Sequence, residues 1–435
     1  MSTIFAESTA RGRAGIAVIR ISGLDSGRAL LKLGIKKIPT PRRAIVAKIY
    51  GSGEIIDEAM ILWMPAPHSF TGEDVAEIHL HGSRAAVNIL SKTLLDMGLH
   101  PAEPGEFTRR ALLNGKMDLT EAEGLADLID AETKAQQKQA VRQMQGELKE
   151  LYEGWREKII SALAHIEAYI DFPDEDLPPG LIEDFIRKIK ELSFSIAGHL
   201  NDNRRGEIIR RGFRIAIVGA PNVGKSTLLN WLARRDIAIV SSHPGTTRDV
   251  IEVNLDLAGF PVTIADTAGI RESEDAIEIE GVRRAKLHAE ESDMKIVMLD
   301  AAEYPDFNKK SLDLIDENSL VVVNKCDLKK VGKPYLPISL KVQTGLGELL
   351  SAIAKILEER LAPSDAPQIT RHRHRTLLSE TLTHLQNLEN PGIFKIIELA
   401  AENLRAAAAA IGKITGRIDL EEVLDELFKS FCIGK

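Results

Sequence analysis

Residues 214–233 read RIAIVGAPNVGKSTLLNWLA. The apolar run Ile215–Val218 has the length of a buried strand. It ends at Gly219, which opens a match to G-x-x-x-x-G-K-[ST], and LLNWLA then continues as a helix. Strand, glycine loop, helix is the context in which this motif holds phosphates, because loop N–H groups and the helix N-terminus point at the anion. Lys225 is placed to neutralise β- and γ-phosphate charge and Ser226 to bind Mg²⁺. Asn222, Val223, Gly224 and Thr227 complete the loop.

Three further motifs follow in order. TTRD (246–249) carries Thr247, suited to be a second Mg²⁺ ligand. DTAG (266–269) places Asp266 toward the Mg²⁺ shell, with Thr267 and Ala268 leading to the Gly269 N–H at the γ-phosphate. NKCD (324–327) supplies Asn324, Lys325 and Asp327. A carboxylate there accepts two guanine N–H groups, which adenine does not offer, so the nucleotide expected is GTP. Cys326 reads as a small wall residue. Ser339 and Lys341 in PISLKV keep the frame of a last base-binding loop, with Leu340 between them. The residue after DTAG is Ile270, which cannot orient water as the glutamine of Ras does.

The surrounding chain sorts into blocks. Residues 1–117 mix short strands (14–22, 44–51, 58–65, 75–80) with a helix after Ser83 and read as α+β. From 118 helical periodicity runs for about fifty residues, with Thr120 and Glu123 fitting a capping box. An acidic, proline-rich break (171–180) precedes another helix, 181–205. Strands alternate with helices from 212 to about 360, the order of a mostly parallel sheet. LAPSDAPQ (361–368) reads as a linker. The last 65 residues return to helix, with Asp419 and Glu422 fitting a cap. One helical domain interrupted by an inserted α/β domain is the economical reading: 1–117, 118–210, 211–365 and 366–435.

Composition bounds the function. At 435 residues, with 44% hydrophobic content, the chain has room for several cores. No apolar run is long enough for a membrane span and no apolar signal core opens the chain. Two cysteines suit a reducing, cytoplasmic setting. With a net charge of −8, a nucleic-acid partner needs local basic patches. RHRHR (371–375) is the strongest such cluster; it reads as a solvated helix start, with tRNA phosphate contact as the functional alternative. His79 and His81 share one strand face but lack acidic or cysteine partners at ligand spacing.

Together these motifs resemble the MnmE (TrmE) family of bacterial tRNA modification GTPases over the whole length. The resemblance also rests on RISG (20–23), TGEDVAE (71–77), PGEFTRRALLNGKMDL (104–119), DFPDE (171–175) and the closing CIGK. It implies an N-terminal folate-binding domain that dimerises, a discontinuous helical domain and an inserted Ras-like G domain. It also implies an FAD-containing partner, MnmG, joined in a heterotetramer, and aminomethyl or carboxymethylaminomethyl transfer to the wobble uridine of certain tRNAs. The donor expected is 5-formyltetrahydrofolate or a related tetrahydrofolate.

Ile270 is then accounted for by K⁺ and transient G-domain pairing. By resemblance Asn222, Ser241, His243 and Thr246 form the K⁺ shell, with Ser242, Pro244 and Gly245 in the same loop, and Glu278 positions the attacking water. Arg20, Glu77, Lys116 and Lys435 match the folate pocket, and Cys432 stands near the one-carbon unit, as chemistry or as packing. The alternative function is a regulatory GTPase of RNA or ribosome assembly without one-carbon chemistry. A folate-binding scaffold with a vestigial GTPase is the third.

Overall fold

The computed structural model describes residues 2–171, 181–235, 237–238, 252–266, 292–362, 366–418 and 434. Two compact units emerge. One comprises residues 1–126, 143–185 and 387–435; the other comprises 127–142 and 186–386.

The first unit is built on a six-stranded sheet in the order β3-β4-β5-β2-β1-β6. Its strands are β1 (Ile4–Glu7), β2 (Ala17–Ser22), β3 (Ile45–Gly51), β4 (Glu54–Met64), β5 (Val75–Leu80) and β6 (His100–Pro101). Alternation along β2 sends Ala17, Ile19 and Ile21 to one face, where they meet Leu30 of α1 (Ser26–Lys32) and Leu90 and Leu94 of α2 (Arg84–Asp96). Each such isoleucine or leucine, fully buried, contributes about 1.5–3 kcal/mol. The opposite face holds a smaller core of Ile4, Ala6, Ala102 and Phe107, the last from α3 (Glu106–Leu113). Val18 and Arg20 alternate onto that second face.

Two of the sequence motifs are structural at this point. Arg110, only 4% exposed, bonds Glu73 at 3.0 Å and Glu106 at 2.8 Å. Ser22 Oγ donates to Glu73 Oε2 at 2.8 Å. TGEDVAE and PGEFTRR therefore meet in a charge triad around buried Arg110, whose guanidinium is paired with two half-buried carboxylates, the condition for tolerating a buried charge.

The helical run after residue 118 divides where a single helix was expected. It forms α4 (Leu119–Ile129), α5 (Lys134–Met144) and α6 (Glu147–Asp171). Gly146, at φ +90°, makes the second break in a conformation that costs other residues strain. The expected cap at Thr120 and Glu123 moves two residues earlier. Asp118 Oδ1 accepts from the Glu121 N–H at 2.8 Å, and Glu121 Oε2 accepts from the Asp118 N–H at 2.6 Å. Thr120 and Glu123 are instead buried on the inward face, where the Thr120 carbonyl accepts from Gln143 Nε2. Sequence beyond the inserted unit returns to pack here, because the helix Ile397–Thr415 lies along α6. Arg417 and Thr415 both bond Glu153 of α6, at 2.7 and 3.0 Å. The helical domain is thus discontinuous in sequence.

The second unit contains α7 (Leu181–Leu200) from Ile186 onward, and α8 (Arg205–Arg211). Its six-stranded sheet has the order β12-β11-β10-β7-β9-β8. The strands are β7 (Phe213–Gly219), β8 (Glu252–Leu257), β9 (Phe260–Asp266), β10 (Met294–Asp300), β11 (Ser319–Asn324) and β12 (Leu336–Pro337). All pairs are parallel except β8 with β9. α9 (Lys225–Ala233) and the helix Leu346–Leu361 cover one face.

RHRHR is neither a solvated helix start nor an open phosphate surface. Arg371 bonds Asp127 at 2.9 Å, Arg375 bonds Asp202 at 2.6 Å, and His374 is fully buried. The nearby His199 is pushed down to about 4 by burial and by the Arg375 charge, against the pull of Asp202.

Burial pushes the Asp118 carboxyl up to about 6, although the Glu121 N–H and Thr120 hydroxyl favour its charged form. Its folded-state pKa exceeds the unfolded value. Its contribution to stability is therefore complete below the ordinary carboxylate range and fades as pH rises through about 6. Asp118→Asn keeps the cap acceptor but does not titrate. In urea melts between these limits the wild type should lose on the order of 2–3 kcal/mol relative to the Asn variant; parallel pH profiles would contradict this.

Candidate functional site

β7 is buried along almost its whole length and delivers Gly219 to the sheet's carboxyl edge, where the phosphate loop begins. This is the end of an open α/β sheet at which ligands bind. The loop turns through two left-handed residues, Asn222 at φ +64° and Gly224 at φ +108°, before α9 starts at Lys225. Lys225 Nζ donates to the Gly219 and Ala220 carbonyls, both at 2.9 Å, so its ammonium lies across the loop. Val223 is buried in the core below, whereas Asn222, Ser226 and Thr227 are exposed.

The guanine motif is tied to this loop through one buried side chain. Asn324, 4% exposed at the end of β11, donates from Nδ2 to the Val223 carbonyl at 2.8 Å. Its Oδ1 accepts from the Leu340 N–H at 3.1 Å. One amide thus joins the phosphate loop and both base loops. Asp327 Oδ1 accepts from Ser339 Oγ at 2.6 Å, which orients the carboxylate for a base. Leu340, between Ser339 and Lys341, turns its side chain against the core beneath Gly224.

Sequence reasoning missed Asp300. It closes β10, and its Oδ2 holds Lys325 Nζ at 2.6 Å while Oδ1 accepts from the Ala302 N–H at 3.0 Å. Partial burial pushes the Asp300 carboxyl up, but the Lys325 ammonium and the Ala302 N–H outweigh it and hold the group below its usual range. Lys325 itself sits at φ +66°. The available signal was a lone carboxylate ending an apolar strand. Cys326 behaves as a wall residue: its thiol donates to the Val323 carbonyl at 3.1 Å, and burial, with Asp327 nearby, raises its pKa. A thiol in that state is a poor nucleophile.

The first unit brings together a second set. Arg20 and Glu77 face each other in register on β2 and β5 and bond at 2.9 Å. The Arg20 guanidinium lies 5.4 Å from the Phe70 ring centre and 5.7 Å from that of Phe107. His79 completes the group through Glu77 Oε2 at 3.2 Å, and His81 bonds Asp57 instead. Among the described residues no three such groups converge on a metal position. Lys116 is not part of this ion pair; its Nζ donates to the Pro67 carbonyl at 3.1 Å. Gly434 sits at the end of β1, accepting on its carbonyl from Ser8 Oγ at 3.0 Å. A Cβ at Gly434 would lie 2.9 Å from Ser8 Cα, so glycine is required for that approach.

Ser241–Thr247, Thr267–Gly269, Ile270, Glu278, Asp419, Glu422, Cys432 and Lys435 lie outside the described residues, and Asp266 is described only as the end of β9.

The model of the MnmE helical domain matches residues 119–432, and that of the GTP-binding protein TrmE N-terminus matches residues 3–116. The chain belongs to the MnmE family. A tRNA modification GTPase MnmE of Paramagnetospirillum magneticum is 51% identical over 100% of this chain and 99% of its own length. Those of Rhodospirillum rubrum and Rickettsia bellii are each 48% identical over 100% of both chains. The MnmE helical-domain match spans the strand, loop and helix of the phosphate site, in keeping with an α/β unit inserted between helical segments. No described helix is long and apolar enough to cross a membrane.

Gly224 tests the bracing of this site. A Cβ there would stand 2.5 Å from Asn324 Nδ2 in a backbone conformation already disfavoured for other residues. Gly224→Ala should weaken GTP and GDP binding by about tenfold or more, ~1.4 kcal/mol, and lower the thermal midpoint, because the strained backbone and the displaced amide both cost stability. Fluorescent-nucleotide titration at wild-type affinity would show that the amide bridge does not govern binding.

Proposed function

We propose that this chain is a GTP hydrolase of tRNA modification. It would act with an MnmG-like flavoprotein and a tetrahydrofolate one-carbon donor at the wobble uridine. The observation that carries the folate half is the meeting of Arg20, Glu77, Phe70 and Phe107 on the sheet where Gly434 docks. β1 pairs with β2 so that Ala6 lies opposite Arg20 and Glu7 opposite Ile19, which puts the docked tail one strand from the arginine. Glu77 offers acceptors for a pterin's N–H groups and Arg20 a fork for carboxylate. Tetrahydrofolate, when bound, supplies the one-carbon unit. Lys435, and Cys432 as a candidate catalytic group, follow Gly434 and precede it by two residues. The alternative, a regulatory GTPase without one-carbon chemistry, gives no use to a half-buried charged pair beneath aromatics or to an anchored C-terminus.

On the nucleotide side, Lys225 and Ser226 would hold the β/γ-phosphates and Mg²⁺, with Thr247 and Asp266 completing the metal shell. Asn222 is exposed in the loop at φ +64°, an arrangement open to a K⁺ ion shared with Ser241, His243 and Thr246. A cation there offsets charge developing on the transferred phosphoryl group. Glu278 would position the water. We further place the domain boundaries at 1–117, 118–210, 211–365 and 366–435. Dimerisation is assigned to the first of these, transient pairing to the G domains, and the protein as a whole to the cytoplasm.

Four measurements check this. GTP turnover should be at least about tenfold faster in KCl than in NaCl, and equal slow rates would remove Asn222 from the K⁺ role. Glu278→Ala should lower turnover by on the order of 10²-fold while GTP binding persists; an unaffected rate would refute the assignment. The intact chain should bind 5-formyltetrahydrofolate and a chain lacking residues 432–435 should bind it markedly less. Failure of the intact chain to bind would leave the switch reading in place. Mixing with the flavoprotein should then modify the wobble uridine.

A further inference from the structure

The chain holds several basic runs, and three of them differ in what the fold does with them. The arginines of 204–214 and 371–375 are largely consumed internally, by Asp127, Asp202, Glu207 and Asp293. Residues 31–53 are different: they carry Lys32, Lys36, Lys37, Arg42, Arg43 and Lys48 and no carboxylate, in a chain of net charge −8. All six are exposed, and among the described residues none forms an ion pair.

The fold gathers them at one edge of the first sheet. Lys32 ends α1, Lys48 lies on the edge strand β3, and the other four occupy the connection between them. That connection is pinned to the sheet: the Tyr50 N–H donates to the Leu33 carbonyl at 2.9 Å and the Arg42 N–H to the Trp63 carbonyl at 2.8 Å. Val46, Lys48 and Tyr50 are exposed on the same side of β3. Neighbouring carboxylates do little to cancel the charge. Asp25 approaches Arg28 at 3.9 Å, Asp57 is held by His81 at 2.9 Å, and Glu58 lies opposite Lys48 in register without an ion pair.

The ordinary explanation for a lysine on an edge strand is that it prevents edge-to-edge pairing. Lys48 alone would serve that purpose. It does not account for five more cations on the helix end and connection, all held without counter-charge. An acidic chain that must engage a polyanion needs such a local concentration of cations.

We propose that the surface formed by Lys32, Lys36, Lys37, Arg42, Arg43 and Lys48 docks the phosphate backbone of the tRNA. This rests on tRNA being the substrate. Contacts of this kind fix position rather than read sequence. They also make binding steeply salt-dependent, because each neutralised phosphate releases counterions.

The test uses the full-length chain, an unmodified tRNA transcript and fluorescence anisotropy over a KCl series. Lys36→Glu, Lys37→Glu, Arg42→Glu and Arg43→Glu combined should weaken tRNA binding by about tenfold or more. The slope of log affinity against log salt should become shallower by roughly 0.7–0.9 for each phosphate that is no longer neutralised. GTP turnover and thermal midpoint should match the wild type. Reversal of Lys309 and Lys310, exposed in the other unit, should leave binding near wild type. Wild-type affinity in the quadruple variant overturns the proposal, as does an equal loss in the Lys309/Lys310 control. Retained tRNA binding with lost binding of an acidic protein partner overturns it in favour of a protein interface. A wild-type chain that binds no tRNA removes the substrate reading itself. Should the quadruple variant unfold, Arg42→Gln with Arg43→Gln supplies the same comparison at smaller amplitude.

Discussion

The Asn324 side chain is the constraint on which the nucleotide site depends. A primary amide buried to this degree has to satisfy both of its ends, and here each end is spent on a different loop. Its donor fixes the Val223 carbonyl and so the course of the phosphate loop; its acceptor fixes the Leu340 N–H and so the last base loop. Leaving either end unpaired would cost about 1–3 kcal/mol. The loops that grip opposite ends of a nucleotide are thereby held at one separation. The glycine at 224 is required by the same contact, since the amide occupies the space a side chain would use.

Elsewhere the fold repeats this pattern of charge satisfied by specific partners. Arg110 between Glu73 and Glu106 joins two distant motifs of the first unit. Asp127 Oδ1 receives both Arg210 and Arg371 in the second, joining α4 to chain segments on either side of the β7–β12 sheet in sequence. Asp300 does the same for Lys325. Each arrangement places a carboxylate where removal of one partner would strand a partly buried charge, so each specifies a geometry more than it adds stability. Against this background the six cations of 31–53 stand out as a cluster that forms no ion pair among the described residues.

Much of the architecture was legible from the chain. A short apolar run marked β2, period-two alternation marked β5, the glycine loop marked the start of α9, and the order of strand and helix marked a parallel sheet. What escaped was set by contacts between distant residues. The fifty-residue helical run looked continuous because breaks at turn residues do not disturb an apolar period; only the left-handed Gly146 and the Asp118 cap reveal them. Thr120 looked like a cap because its spacing to Glu123 is right. Spacing carries no information about which face of the helix is buried. RHRHR looked solvated because its acidic partners lie up to 244 residues away.

By itself, then, the sequence determined the class of chemistry: a strand, a phosphate loop and a guanine motif impose their function through local backbone geometry and through atoms a few residues apart. Only the tertiary structure decided which charges are spent and which are available. Arg20 and Arg371 are alike as letters, but one lies beneath two aromatic rings beside Glu77 and the other is bound to Asp127. That distinction arises from strand register and helix packing, which bring together residues the sequence keeps far apart, and from burial, which makes an unpaired charge too costly to keep.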